Sequence, residues 1–368
     1  MVGVIFLTLL IVGKVIDSDQ FEQQDNLPDA KPYIELSQLE GEQALVGDIV
    51  LEWLKGETDG ETLYNRYTGA GRVYAAESVA IKYAIYDIPT DVEVERQVLE
   101  LSDNSTFEDA QIFELTGGKR GFIFEYLYTN KRYYYRLTAY LSDGTVLTAS
   151  SQFKTADTPR IISADGVWNM RDIGGVKTVD GKTFKQGMVY RGVELDGAIY
   201  EKYCITEAGV RVLTEKLGIK AQFDLRAPND RIRDMLGPDV KHTVYGVYAY
   251  SDSLVKYYYE SYRVLFSDFA KKENYPAYVH CTYGKDRTGT VVFLLQTLVG
   301  VSEEDAFKEW EMSVLLDGKV DYPLMEDYIE ALKTFGGETM QENVELFLLD
   351  CGVTQEEIDT IREILLED

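Results

Sequence analysis

His280-Cys281-Thr282-Tyr283-Gly284-Lys285-Asp286-Arg287-Thr288-Gly289 lies between two apolar runs, Tyr275-Pro276-Ala277-Tyr278-Val279 before it and Thr290-Val291-Val292-Phe293-Leu294-Leu295-Gln296-Thr297-Leu298 after it. The first run is short and rich in β-formers, and the second is long enough for a buried helix. The segment therefore predicts strand, tight loop, helix. A loop whose successive N–H groups point inward forms an anion-binding nest, and the following helix adds the positive end of its dipole. Thr282, Tyr283 and Gly284 supply the loop amides. Arg287, five residues beyond the cysteine, brings a planar fork that can hold two phosphoryl oxygens through a trigonal-bipyramidal transition state. A thiol set among amides and cations at a helix N-terminus ionises near neutral pH, so Cys281 reads as a nucleophile that forms a phosphocysteine. The Thr288 hydroxyl is placed to serve the sulfur as it departs, and His280 to orient the loop. Lys285 adds a second cation at the rim.

Cys-x5-Arg alone arises by chance, and a buried cysteine is usually a small hydrophobe; the flanking strand and helix favour the catalytic reading. Gly284 and Gly289 also invite a nucleotide P-loop reading, but Thr290-Val291 stands where that motif needs Lys-Ser/Thr.

Three upstream segments, Asn169-Met170-Arg171-Asp172-Ile173-Gly174-Gly175, Val189-Tyr190-Arg191-Gly192 and Asp224-Leu225-Arg226, precede the loop in that order. Together with His-Cys-x-x-Gly-Lys-Asp-Arg-Thr-Gly they resemble the cysteine-dependent protein tyrosine phosphatase superfamily, and most closely its bacterial tyrosine/serine phosphatase branch, over residues 160–368. The resemblance implies an α/β domain with a mostly parallel sheet flanked by helices. It implies hydrolysis of phosphotyrosine, with phosphoserine/threonine or phosphoinositides as further substrates, and no cofactor and no metal. It places Asn169, Arg171 and Asp172 near the phosphate loop, as substrate-binding residues or as architecture alone, and Arg226 is read as substrate-binding with them. Lys285, in the Lys-Asp-Arg context, favours a substrate with more than one phosphate. Two departures stand out: Asp230 occupies a position usually held by Glu, and Ala227 replaces a common Ser.

The leaving oxygen needs a proton from a carboxylic acid within hydrogen-bond reach. Asp224, at the end of the strand Ile219-Lys220-Ala221-Gln222-Phe223, projects toward the carboxyl edge of a parallel sheet and is the favoured acid. Asp286, inside the loop, is the alternative. A turn or cap role competes for Asp224.

A chain of 368 residues with 45% hydrophobic residues suits two globular domains. The formal charge of -26 argues against nucleic-acid binding, since a phosphate backbone would be repelled. Cys204, Cys281 and Cys351 show no close metal-ligand spacing and only two histidines exist, which disfavours a zinc or dinuclear mechanism. Cys204 and Cys351 read as buried free thiols, with pairing as the alternative in an exported protein.

Residues 1–20 hold an apolar run from Val2 to Gly13 followed by a polar, acidic stretch. The run suits a signal peptide or membrane anchor, predicting an exported, extracellular or membrane-anchored protein; it lacks a basic start, and without a signal the protein would be cytoplasmic. Residues 21–71 read as an irregular extension. From residue 72 to 156 strand patterns follow one another: Val79 to Ile85, Val98 to Leu101, Arg132 to Tyr140, and Val146 to Thr148 after the turn Ser142-Asp143-Gly144. The tyrosine-rich strands resemble the late strands of a fibronectin type III module, which implies an all-β sandwich that spaces the catalytic domain or docks another protein. Beyond residue 160, helices are predicted over Thr206 to Leu217, Ser253 to Lys271, from Ser302, and from the Thr354-Gln355-Glu356-Glu357 capping box to Leu366.

Three functional readings follow. The first is a cysteine-dependent phosphatase acting on a phosphorylated protein or phosphoinositide, and the second is the same chemistry on an extracellular inositol polyphosphate. The third is a non-catalytic phosphate-binding adhesion module, against which an intact Cys281 and Arg287 argue.

Overall fold

Apolar side chains alternate through Arg132–Leu141, so that Tyr133, Tyr135, Leu137, Ala139 and Leu141 share one buried face. That period of two makes the segment a strand with one wet side. The computed structural model describes residues 33–36, 39–70, 78–79, 81–84, 86–88, 91–115, 121–228 and 232–367. The N-terminal apolar run and Asp230 lie outside these residues. No described helix is long and apolar enough to cross a membrane.

In the N-terminal region β1 (Glu42–Gln43), β3 (Val94–Ser102), β4 (Gln111–Leu115), β6 (Arg132–Leu141) and β7 (Val146–Thr155) form a five-stranded sheet in the order β1-β7-β6-β3-β4. Two further strands, β2 (Ile81–Ala84) and β5 (Gly121–Phe124), pair as an antiparallel ribbon, and the short segments Glu35–Leu36 and Tyr86–Asp87 pair with each other. Phe124 of this ribbon stacks on Phe153 with ring centroids 5.5 Å apart and meets Tyr135 at 5.8 Å. The ribbon thus packs on the apolar face of the larger sheet. The sandwich expected from sequence appears in part, as one full sheet and a short second layer.

The stretch expected to be irregular, 21–71, instead carries two helices, α1 (Asp48–Trp53) and α2 (Gly60–Gly69). Asp59 caps α2 by accepting from the Thr62 amide at 2.8 Å, a start signal hidden in a glycine-rich, polar sequence. Helices this short hold through tertiary burial. Here Val46, Ile49, Val50 and Leu63 pack on Ile161, Met312, Val314 and Leu315 of the following domain.

That domain is built on six strands, β8 (Arg160–Ile161), β9 (Arg171–Asp172), β10 (Val189–Gly192), β11 (Ala221–Asp224), β12 (Lys241–Val244) and β13 (Ala277–His280). Their order is β8-β9-β10-β13-β11-β12. The four strands β10, β13, β11 and β12 run parallel, and β8 and β9 add an antiparallel edge. Every residue of β10, β11 and β13 is buried, as a sheet covered on both faces requires. The helix α4 (Asp286–Leu298) follows β13 and is buried from Thr288 to Leu298. The helix predicted from Ser253 begins only at Tyr259 and runs to Phe269, because Val255 is extended (ψ 124°) and breaks the preceding turns.

The two regions meet at Arg160, which is buried among Tyr126, Tyr128, Asp172 and Tyr190. Its guanidinium donates to the carbonyls of Leu127 and Tyr126 at 2.8 and 2.6 Å and to Asp172 Oδ2 at 2.8 Å. Asp172 also accepts from the amides of Gly174 and Gly187. Arg160→Met should remove a buried cation, orphaning Asp172 and two carbonyls, and destabilise the protein by about 3 kcal/mol or more. Urea unfolding checks this, and a loss below ~1 kcal/mol would contradict the account.

Candidate active site

Strand β13 ends at His280, and its carboxyl end opens into residues 281–285 before α4 begins. The first turn of α4 receives no side-chain cap from Lys285, so its orphan N–H groups are left to other acceptors. Behind the loop, three carbonyls are engaged in succession. The Glu194 amide donates to Thr282 O at 3.1 Å. Asn169 Nδ2 donates to Tyr283 O at 3.2 Å and to Gly284 O at 3.1 Å, and Arg191 Nη2 also donates to Gly284 O. Across a trans peptide the C=O and the next N–H point in opposite directions. Holding these carbonyls at the back therefore aims the amides of Tyr283, Gly284 and Lys285 to the front.

Glycine at 284 is required twice over. Its φ is +66°, and a Cβ there would lie 2.3 Å from Gly192 O. Asn169 has a positive φ of 53° as well, a conformation asparagine tolerates better than most residues.

A second tier of buried charge holds the first. Arg171 donates to Asn169 Oδ1 at 2.5 Å and to Glu309 Oε1 at 2.7 Å, and Arg191 donates to Glu309 Oε2 at 2.6 Å. Burial opposes the Glu309 charge, but the two guanidiniums outweigh it and hold its carboxyl below the ordinary range. Burial, aided by Arg191, pulls Arg171 down to about 10. The resemblance expected Arg171 and Asp172 at the substrate. Both are buried and engaged with protein groups: Arg171 holds Asn169 and Glu309 behind the loop, and Asp172 binds Arg160 and the amides of Gly174 and Gly187 at the junction of the two regions. The same correction applies to Asn169, which grips the loop from behind.

Asp224 stands at its strand end as expected, but in surroundings unlike those of a proton donor. It is completely buried, and Arg226 donates to both of its oxygens, with Nη2 to Oδ2 at 2.6 Å and Nε to Oδ1 at 2.9 Å. Burial works against its charge, but His280, His242 and Arg226 outweigh that penalty and keep the carboxyl well below the usual carboxylate range. A buried, ionised carboxylate is a poor proton donor, which argues against the favoured acid. Arg226 is saturated in turn by Glu194, Asp196 and Asp224 and does not reach a substrate.

His280 is buried, and burial pushes it below the ordinary imidazole value against the pull of Asp224. Its Nδ1 lies 3.1 Å from Cys281 O, and its Nε2 lies 2.9 Å from Gln222 Nε2. A carbonyl only accepts, so Nδ1 carries the proton and Nε2 accepts from the glutamine. His280 thereby fixes the Cys281 peptide. Asp224, His242 and His280 bring possible ligand atoms within 4.8 Å of one another. Both Asp224 oxygens and both His280 nitrogens already have protein partners, so the group reads as the Asp224–Arg226 ion pair with two imidazoles beside it.

On the open side, a cleft of about 390 Å³ is lined by Ala227, Val247, Tyr248, Tyr250, Asp252, Asp286, Arg287 and Leu324, among others. Arg287 Nη2 reaches back to Thr282 Oγ1 at 3.4 Å. Asp286 accepts from the Tyr250 phenol at 2.7 Å. Cys281 is nearly buried beneath the loop. Thr288 Oγ1 is buried and has no hydrogen-bond partner among the described residues. Lys285 sits at the rim, its Nζ 2.9 Å from Lys319 O and 5.4 Å from the Tyr283 ring centre. Tyr283 packs against Tyr200 and Tyr203.

The sequence reading missed Glu309, Tyr250 and Ser313, whose hydroxyl accepts from Arg171 Nη2 at 3.0 Å, and gave Arg191 no role beyond its strand. Arg191 stood in a quoted motif; no local pattern marked the others.

A family model described as the tyrosine phosphatase family matches residues 162–367. No curated protein matches the chain.

Because Asp224 is held ionised in the folded state, its contribution to stability is present above the unfolded carboxyl value and is lost as pH falls below it. Stability of the wild type should therefore drop on acidification below about pH 4, and Asp224→Asn should be less stable at pH 7 with a shallower acid limb. Chemical denaturation across pH reads both curves, and parallel curves would refute the ion-pair role.

Proposed function

The chain belongs to the tyrosine phosphatase family and is a phosphatase, and from that premise we propose that it hydrolyses phosphotyrosine through a phosphocysteine on Cys281. The observation that carries this reading is the loop's three carbonyls held from behind, which turn the amides of Tyr283, Gly284 and Lys285 to the opposite side, next to the start of α4 and after Cys281. A dianion there meets donors fixed before it arrives, so little reorganisation opposes the reaction.

The Cys281 thiolate attacks phosphorus as the bond to the phenolic oxygen breaks, and Asp286 gives that oxygen its proton. Asp286, now ionised, takes a proton from water as the water oxygen attacks phosphorus. The P–S bond breaks, inorganic phosphate forms and the thiolate is restored. Arg287 holds two equatorial oxygens in both steps. The unpartnered Thr288 hydroxyl is the group assigned to stabilise the departing sulfur. Asp286 is preferred over Asp224 because it lines the open cleft beside Arg287.

The cleft also bears on substrate class. Among the described residues its lining carries a single cation, Arg287, together with the carboxyls of Asp252 and Asp286 and the rings of Tyr248 and Tyr250. This supports an aryl monophosphate over an inositol polyphosphate, whose several phosphates would need several cations. The N-terminal sheet is assigned a protein-docking or spacing role on its resemblance alone.

Cys281→Ser should abolish turnover of p-nitrophenyl phosphate, and wild-type turnover should survive chelation with EDTA. An inactive wild type, or an active Cys281→Ser, would overturn the mechanism. In a parallel comparison, phosphotyrosine peptide should exceed inositol hexakisphosphate in kcat/KM by more than about tenfold, roughly the rate equivalent of 1.4 kcal/mol. Lys285→Ala should leave that preference in place.

A further inference from the structure

Tyr250 combines three features that its packing alone does not require. Its backbone is left-handed, with φ +53°, a conformation that is uncommon for a bulky residue and disfavoured by sterics. Its amide donates to Thr290 Oγ1 at 3.0 Å, and Thr290 Oγ1 in turn donates to Asp286 O at 3.0 Å. Its phenol donates to Asp286 Oδ1 at 2.7 Å. The residue is thus tied at its main chain and at its ring tip to the first turn of α4, the turn that carries Asp286 and Arg287. The strained segment itself is held at Tyr248, whose carbonyl accepts from the buried Tyr262 hydroxyl.

We propose that Tyr250 is the positioning residue for the proton donor, holding Asp286 Oδ1 so that Oδ2 faces the leaving oxygen across the cleft. The inference rests on the reading of Asp286 as the acid. Asp286 is only half-buried and borders solvent in the cleft, where an untethered carboxyl would sample several rotamers. A phenol bond to one oxygen removes that freedom and leaves the other oxygen to carry the transferable proton. Burial, reinforced by the Asp286 charge whenever that carboxyl is ionised, keeps the Tyr250 proton on its oxygen far above the ordinary phenol range, so the phenol remains a donor before and after Asp286 gives up its proton.

A positioning role for the acid makes a particular demand on substrates. Protonation matters most when the leaving phenolate is basic, so losing the tether should harm poor leaving groups more than good ones. The test compares wild type, Tyr250→Phe and Asp286→Asn on phenyl phosphate and p-nitrophenyl phosphate. Tyr250→Phe keeps the ring and the backbone bond to Thr290, and the ratio of the two rates within one preparation is independent of the fraction folded. That ratio should fall on the order of tenfold in Tyr250→Phe, the scale of a lost hydrogen bond to a charged group, and further in Asp286→Asn. If Asp286→Asn leaves the ratio unchanged, the acid assignment falls and this inference falls with it. If Asp286→Asn lowers the ratio but Tyr250→Phe does not, the acid assignment stands and the role of Tyr250 is overturned.

Discussion

The orientation of the Gly284 peptide governs the site. Its carbonyl is gripped by Arg191 and by Asn169, so the amide of Lys285 must face the opposite way. Only glycine accepts the φ and the approach to Gly192 that this orientation demands. A flip of that peptide would place a carbonyl oxygen where a phosphate oxygen is to bind, turning attraction into repulsion. Most of the polar architecture behind the loop can be understood as preventing that flip.

The means is costly. Arg171, Arg191 and Glu309 are buried together, as are Arg226 with Glu194, Asp196 and Asp224, and Arg160 with Asp172. Desolvating such ions usually cancels much of their mutual attraction, and well-packed apolar residues would serve stability as well or better. What apolar residues lack is direction. A guanidinium with its donors divided between Glu309 and Gly284 O fixes where that carbonyl lies, and a leucine in its place would leave the peptide free to turn. The charges are thus spent on geometry, within a sheet whose three central strands are buried throughout.

This division explains which features were legible in the sequence. Strand β13, the loop and helix α4 are adjacent in the chain, and their apolar runs and glycines announce them directly. The capping box at Thr354 and Glu357 is likewise local and appears as read. Asn169 and Arg171 were picked out by motif, but whether they face a substrate or the back of the loop depends on the register of β9 beside β10, which no local pattern records. Asp224 shows the same limit. Its place at a strand end was correct, yet Arg226, two residues later, folds back and neutralises it. Glu309 lies on a helix far along the chain and meets Arg171 only through tertiary packing. The helix at 60–69 escaped because its glycines and polar residues hid a burial supplied by the neighbouring domain.

The acidity of the chain then acquires a specific meaning at the loop. A protein with a formal charge of -26 repels anionic substrates at long range, but salt screens exposed charge within about 8 Å at physiological ionic strength. Inside that distance the substrate meets backbone amides, a helix N-terminus and Arg287, none of which depends on the sign of the distant surface. Capture is therefore short-ranged, and it rewards a ligand whose charge is compact and whose remainder is uncharged enough to lie along Tyr248 and Tyr250. Spreading several phosphates over the cleft would bring them against Asp252 and Asp286, with one guanidinium among the described lining residues to balance them. On the proposed reading the overall charge and the local cleft act in the same direction, toward a single phosphate on an aromatic carrier.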